Sequence, residues 1–170
     1  MNLNITNPYL LLAMIGCTPL VPNNSWPNTI QKNGMTVNWK HQGDRVFFEM
    51  SAPTNGWVAI GLNPDEGITG TYLLMGRVVN GKAELVEHYT IAPGNYQPIE
   101  SLGGEIAVKD IDGEETGNST TIRFSLPVET GSKYQTPLTQ SLEYNMLIAF
   151  SRDDDFKHHS MMRTSISIKL

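Results

Sequence analysis

The sequence predicts an all-β protein, an antiparallel immunoglobulin-like β-sandwich of about nine or more strands. Its 170 residues include 15 Gly and 10 Pro but only 17% charged residues, a composition typical of turn-rich β proteins. From residue 35 onward, apolar and polar residues alternate in short segments separated by turn residues, and no segment has a helical period. The length suffices for one domain with its own hydrophobic core.

The first half of the chain contains two kinds of predicted strand. Residues 35–39 and 46–50 alternate in polarity on either side of a turn at 42–44, as the half-buried strands of a hairpin do. Residues 57–62 and 72–79 are continuous apolar runs, which indicates central strands covered on both faces. The pair Asn80 and Gly81 is a strong hairpin signal, and it makes residues 83–91 the partner of the second run.

The second half is predicted to begin with a long structureless connection that includes residues 93–98 and 102–104. A strand around residues 106–111 follows, and the acidic segment 112–115 is interpreted as a turn. Alternating residues then predict strands at 122–126, 144–150 and 164–170. The sequence shows no internal repeat and no second domain.

The N-terminal region predicts a lipid anchor. An apolar stretch at residues 9–16 ends in Gly16 directly before Cys17, the single cysteine of the chain, and resembles a bacterial lipoprotein signal. Residues 1–16 are therefore interpreted as a signal peptide, residues 17–32 as a tether rich in Pro and Asn, and residues 33–170 as the sandwich. A lipidated Cys17 would place the sandwich outside the cytoplasmic membrane. The alternative is a free or buried thiol in an ordinary N-terminal segment.

Charge and motifs exclude several functional classes. The net charge of −5 and the pI of about 5.3 give no basic surface for nucleic acid, and no apolar run approaches the roughly 18–20 residues that span a bilayer. Without a Cys-x-x-Cys-His motif, covalently attached haem is excluded. No serine, histidine and carboxylate fall in a hydrolase motif. These observations favour a binding or electron-transfer module over an enzyme.

Six segments, taken in order, resemble the DOMON domain, the β-sandwich of dopamine β-hydroxylase-like proteins and of the cytochrome domain of cellobiose dehydrogenase. The similarity covers roughly residues 35–170 and is strongest to free-standing bacterial versions. The segments are GWVAIGLNP at 56–64, GITG at 67–70, MGRVVNGK at 75–82, EHY at 87–89, TIRFSL at 121–126 and HHSMMR at 158–163.

The resemblance implies an extracytoplasmic module that binds either a b-type haem or a sugar-like ligand. In the haem-binding members, a methionine after the Trp-bearing strand and a histidine before the last strand clamp the iron. The histidine is matched by His159, four residues before Arg163, whereas the methionine position is occupied by Ile68, which has no donor atom. Met161 and Met162 are too close in sequence to His159 to reach the opposite face of the ring.

Several site assignments stay open from the sequence. Met75 is the best-placed alternative methionine, although a methionine inside an apolar strand is more often a core residue. Family spacing favours His159 as the haem ligand, whereas the alternation of the last strand favours His158. Trp57 fits a core position or a pocket wall, and His88 on an alternating strand is expected to be exposed.

Two further possibilities involve other residues. A carbohydrate could stack on the loop aromatics Tyr96, Tyr134 and Phe156, which would make the protein a colourless binding or adhesion module. Asp153 and Asp155 could bind a hard cation, although adjacent carboxylates more often form a hydrated turn.

The haem hypothesis predicts a redox partner protein in the cell envelope. A purely structural role is the remaining alternative.

Overall fold

Two antiparallel sheets pack face to face in the computed structural model, which describes residues 26–63, 65–140 and 142–170. The all-β sandwich predicted from the sequence is confirmed. The predicted signal peptide, Cys17 and the tether before residue 26 lie outside the described residues. In the part described, the helical structure is a 3₁₀ turn at Ile99–Leu102, and no helix is long and apolar enough to cross a bilayer.

The described residues form eleven strands. In chain order they are β1 (Asn28–Lys32), β2 (Met35–Gln42), β3 (Arg45–Ala52), β4 (Val58–Asn63), β5 (Tyr72–Val79), β6 (Lys82–Ala92), β7 (Asn95–Pro98), β8 (Lys109–Thr116), β9 (Ser119–Pro127), β10 (Glu143–Phe150) and β11 (Met162–Lys169). One sheet has the order β1-β2-β3-β9-β8 and the other has the order β11-β10-β4-β5-β6-β7.

The main hydrophobic core lies between the two sheets. Alternate residues of most strands point into it, as the period of two requires. Its largest fully buried side chains include Phe48, Phe124, Tyr72 and Tyr144. The rings of Phe48 and Phe124 stack with their centroids 5.4 Å apart. Strands β4 and β5 are buried almost throughout, and β10 is buried from Ile148 to its end. Something therefore also covers the outer face of the six-stranded sheet.

Three segments differ from the sequence prediction. Strand β7 lies in the connection predicted to be structureless at residues 93–98, because it pairs with β6. Strand β1 lies inside the predicted tether 17–32, because it pairs with β2 and Ile30 packs against the main core. The acidic segment predicted as a turn at 112–115 instead lies within β8, and the chain reverses near Gly117. An exposed edge strand tolerates a row of carboxylates because neither they nor the edge are buried.

Candidate functional site

The outer face of the six-stranded sheet carries a row of aligned residues across four strands. In the strand register, Met75 of β5 lies opposite Ala59 of β4, which lies opposite Ala149 of β10, which lies opposite Arg163 of β11. Residues opposite one another share a face of the sheet. The two alanines therefore leave a depression between the methionine and the arginine.

A second hydrophobic cluster fills this outer face. It consists of Trp57, Ala59, Leu73, Met75 and Ala149, separate from the main core between the sheets. Trp57 is 4% exposed and Met75 is 2% exposed. A sheet face turned away from its partner sheet is normally solvated, so burial here requires a covering segment.

That covering segment is the loop of residues 151–161, the histidine loop, which joins β10 to β11. The backbone N–H of Trp57 donates to the Asp153 carbonyl at 3.2 Å, and the Ser151 N–H donates to the Trp57 carbonyl at 3.0 Å. The Ser151 hydroxyl also donates to the His159 carbonyl at 3.2 Å. Gly56 allows this approach, because a Cβ built there would lie 2.5 Å from the Asp153 nitrogen.

Side chains of the neighbouring strands hold the middle of the histidine loop. Arg77 donates to the Asp154 carbonyl at 2.8 Å, and its guanidinium lies 4.6 Å from the centre of the Phe156 ring. Glu84 fixes the same guanidinium through a 2.8 Å ion pair. The Tyr96 hydroxyl donates to the Phe156 carbonyl. The loop is thus attached to the sheet at several points along its length.

His88 was predicted to be exposed, and that prediction is wrong. It is 4% exposed, because β6 is an inner strand of its sheet and the histidine loop covers its outer face. Its ring lies edge-on to Tyr96 at 5.3 Å and to Phe156 at 6.1 Å. Burial lowers the pKa of His88 below its ordinary value, against a smaller raising effect of the Val86 carbonyl. The neutral imidazole is therefore favoured in this position.

The histidine loop and the sheet enclose a pocket of about 150 Å³, here called the outer-face pocket. Its floor comes from the second cluster and its wall from the loop. It is lined by Trp57, Ala59, Ile68, Thr71, Leu73, Met75, Thr90, Gly94, Tyr96, Leu147, Ala149, Lys157, His158, His159, Ser160 and Arg163.

The structure brings the principal sequence-predicted site residues together in this pocket. His158, His159, Met75 and Trp57 all line it. Both histidines precede the first residue of β11, so the alternation of that strand does not choose between them. Ile68, at the position where the resemblance expects a methionine, also lines the pocket.

Other sequence-predicted residues lie elsewhere or have local partners. Tyr134 lines a separate groove, so it does not form one stacking surface with Tyr96. The Lys133 Nζ lies 4.8 Å from the centre of the Tyr134 ring. The Asp153 and Asp155 carboxylates accept hydrogen bonds from backbone N–H groups two residues further on, at 2.7 and 3.0 Å. Among the described residues, no group of three or more His, Cys, Asp and Glu side chains is placed to hold a metal ion.

Sequence reasoning missed the cations and the loop anchors of this site. Lys157 and Arg163 line the pocket beside the histidines, and Arg77 anchors the loop from below. Arg77 carried one local signal, since it is the single charged residue of an otherwise apolar strand. No local sequence pattern indicates that Arg77 and residue 154 are in contact.

Comparison with known proteins agrees with this architecture. The model of the DOMON domain family matches residues 31–151, more than half of the chain. DBH-like monooxygenase protein 1 of Mus musculus is 24% identical over 156 residues, an alignment that covers 88% of this chain and 25% of the mouse protein. This chain therefore spans about a quarter of the length of that relative.

Two solved structures share the fold. The cytochrome b domain of pyranose dehydrogenase from Coprinopsis cinerea superposes with a TM-score of 0.61 at 10% identity, covering 79% of this chain and 76% of that one. The cytochrome domain of Myriococcum thermophilum cellobiose dehydrogenase gives 0.58 at 10% identity, covering 84% and 80%. At such low identity the likeness establishes the fold alone. The match of the family model over residues 31–151 shows that this chain belongs to the DOMON domain family.

Proposed function

We propose that this protein is an extracytoplasmic DOMON module that binds a b-type haem in the outer-face pocket and transfers electrons to a partner protein. The observation that carries the proposal is the meeting of His158, His159 and Met75 in one pocket. Imidazole and thioether are the axial ligands typical of electron-transfer haem proteins. The two solved structures described above are cytochrome domains, and their shared fold supports the same function for this chain.

The donor set fits a haem because its members belong to different elements. Met75 rises from β5 in the floor of the pocket, whereas the histidines belong to the loop that crosses the sheet. Donors on separate elements could hold one iron together, whereas Met161 and Met162, as close neighbours of His159 in sequence, could not join it. We assign His159, with His158 beside it, and Met75 as the residues that would hold the haem iron.

Two further features of the pocket suit such a ligand. Lys157 and Arg163 supply positive charge, which favours the carboxylates of the haem propionates. The buried indole N–H of Trp57 has no acceptor among the described residues, an unpaired donor that costs about 1–3 kcal/mol unless a ligand satisfies it. Both features favour an anionic, acceptor-bearing ligand over a neutral apolar one.

The size of the pocket sets a condition on binding. Its volume of about 150 Å³ is below the range of about 300–1,000 Å³ typical of small-molecule sites. The histidine loop must therefore move outward from the sheet to admit a porphyrin. Lys157, His158 and His159 are exposed at the surface of this loop, but moving the loop as a whole would uncover Trp57 and His88 beneath it.

A bound haem would supply one-electron redox chemistry, and the chain controls its surroundings. Trp57, Leu73 and Ala149 exclude water on the sheet side, while the exposed loop residues leave the other side open to a partner. A dry, apolar floor and a charged rim are the means by which a protein tunes the potential of a haem.

Haem titration of the purified protein tests this proposal. We expect the wild type to develop a Soret band, and His159→Ala to lose it. Met75→Leu conserves volume and costs less than about 1.5 kcal/mol of stability, but it removes the sulfur, so we expect haem to bind with a changed spectrum of the reduced form. Absorption spectra of the oxidised and reduced protein provide the measurement.

Met161→Leu is the matched control, because Met161 is 46% exposed and does not line the pocket. Its spectrum should equal that of the wild type. A wild type that binds no haem would contradict the proposal as a whole. A Met75→Leu spectrum identical to the wild type would exclude the thioether ligand while leaving haem binding intact.

The extracytoplasmic location rests on the predicted lipid anchor at Cys17, which precedes the described residues. We expect Cys17→Ser to abolish incorporation of labelled fatty acid and to release the protein from the membrane fraction, because stable attachment requires two or more acyl chains. The circular dichroism spectrum of the β-sandwich should be unchanged, since the substitution lies before β1. Release of the wild type from membranes by salt alone would contradict the anchor.

A further inference from the structure

A second concavity lies at the ends of strands β3, β8 and β9 of the five-stranded sheet and shares no residue with the outer-face pocket. We call it the end groove. It has a volume of about 570 Å³, within the range of about 300–1,000 Å³ typical of small-molecule sites. The segments 103–109 and 127–135 form most of its walls, and Arg45 of β3 closes one side.

The charge of the end groove opposes the charge of the chain. Arg45, Lys109 and Lys133 line it, with Glu105 as the acidic member of the lining, whereas the whole chain has a net charge of −5. Arg45 is held in place, because its Nε donates to the Ser125 hydroxyl at 2.9 Å and its Nη2 to the Ser125 carbonyl at 3.0 Å. Its Nη1 makes no hydrogen bond within the described residues and remains available for an anion.

A buried amide in the same groove provides an acceptor. Gln135 is 5% exposed, and its Nε2 donates to the Glu87 carboxylate at 2.7 Å and to the Glu105 carbonyl at 3.1 Å. These two bonds fix the orientation of the amide. Its Oε1 makes no hydrogen bond within the described residues, and a hydroxyl group of a ligand would be a suitable donor to it.

Buried Glu87 makes the end groove rigid. Its carboxylate accepts hydrogen bonds from the backbone N–H groups of Ala107 and Val108, both at 2.7 Å, as well as from Gln135. One fully buried acidic side chain therefore connects the 105–108 wall to the 135 wall. A site whose polar groups are fixed before binding loses less entropy when the ligand arrives.

We infer that the end groove binds a hydroxylated carboxylate, a sugar acid such as a uronic acid unit of an acidic polysaccharide. The carboxylate would meet Arg45, with Lys109 and Lys133 adding charge, and a ring hydroxyl would donate to Gln135. Recognition by charge and hydrogen bonds replaces stacking, because Lys133 already covers the Tyr134 ring.

Titration with galacturonate and with galactose tests this inference, because the two differ only in the carboxylate. We expect galacturonate at low ionic strength to shift the amide NMR signals of residues 103–107 and 131–135, and galactose to shift them little. Arg45→Gln and Lys133→Gln should each weaken binding, Arg45→Gln by about tenfold as expected for a lost charge-assisted hydrogen bond. Lys169→Gln is the matched control, because Lys169 is exposed on β11 and does not line the groove.

Each alternative outcome overturns the inference. Equal binding of galactose would show that the cations take no part, and equal binding of acetate would reduce the groove to a simple anion site. Absence of shifts, or shifts confined to the outer-face pocket, would exclude the groove as the binding site. Because Arg45→Gln also removes the bonds to Ser125, thermal unfolding of both variants accompanies the titrations. The result does not depend on haem binding, since the two sites have no residue in common.

Discussion

Glu87→Gln is expected to lower the free energy of unfolding by about 2–4 kcal/mol. Glu87 is completely buried and accepts four hydrogen bonds, from the Tyr72 hydroxyl at 2.5 Å and from Gln135, Ala107 and Val108 at 2.7 Å each. A carboxylate accepts all four, whereas an amide brings two N–H donors of its own to a place surrounded by donors. Burial, followed by the charge of Glu87, raises the pKa of Tyr72, so its hydroxyl stays protonated and keeps donating.

The loss is partial because part of the network can rearrange. The Tyr72 hydroxyl can rotate to accept a hydrogen bond from the new amide. The Gln135 side chain cannot adapt as easily, because its Nε2 donates to the Glu105 carbonyl at 3.1 Å. If the Gln135 amide flipped, its oxygen would face that carbonyl oxygen instead. At least one buried group therefore stays unpaired. Glu84→Gln is the control on the same strand, since Glu84 is 42% exposed in a surface ion pair and should cost less than about 1 kcal/mol. Denaturant unfolding that shows equal small losses for both variants would contradict this role of Glu87.

Gly56→Ala is expected to displace the histidine loop and to weaken binding in the outer-face pocket. An added Cβ would lie 2.5–2.7 Å from three backbone atoms of Arg152 and Asp153, closer than non-bonded atoms approach. Overpacking of this kind costs about 1–3 kcal/mol. Because the neighbours are backbone rather than flexible side chains, the loop itself must move. The His159 side chain moves with the loop. Each loss of about 1.4 kcal/mol in the free energy of haem binding weakens haem affinity tenfold.

Hydrogen exchange measures this displacement without any ligand. The amides of Trp57, His158 and Met161 donate within or across the loop, at 3.2, 2.8 and 2.8 Å, and should exchange faster in Gly56→Ala. Asn55→Ala is the matched control, since Asn55 is an exposed residue of the same turn. Unchanged exchange in Gly56→Ala would show that the close approach of Gly56 does not position the loop.

The architecture could be predicted from short-range patterns because strand burial repeats with a period of two along the chain. The continuous apolar runs at β4 and β5 correctly indicated strands covered on both faces. Edge elements were harder to predict. Strand β8 carries charged residues that have the composition of a turn, and β1 has the composition of a tether, because an edge strand buries too little to impose a pattern.

For this protein the sequence by itself determined the class of fold, the DOMON resemblance and the residue types available for a site. Only the tertiary structure decided that residues 151–161 cover the outer face of the six-stranded sheet, the face on which Met75 lies. That cover buries His88 and brings His158 and His159 to the same pocket as Met75. The tertiary structure also decided that Glu87 connects two walls of a second groove. The physical reason is that strand formation depends on neighbours in sequence, whereas these contacts depend on the order of strands in the sheet and on the path of one loop, which local residue patterns do not specify.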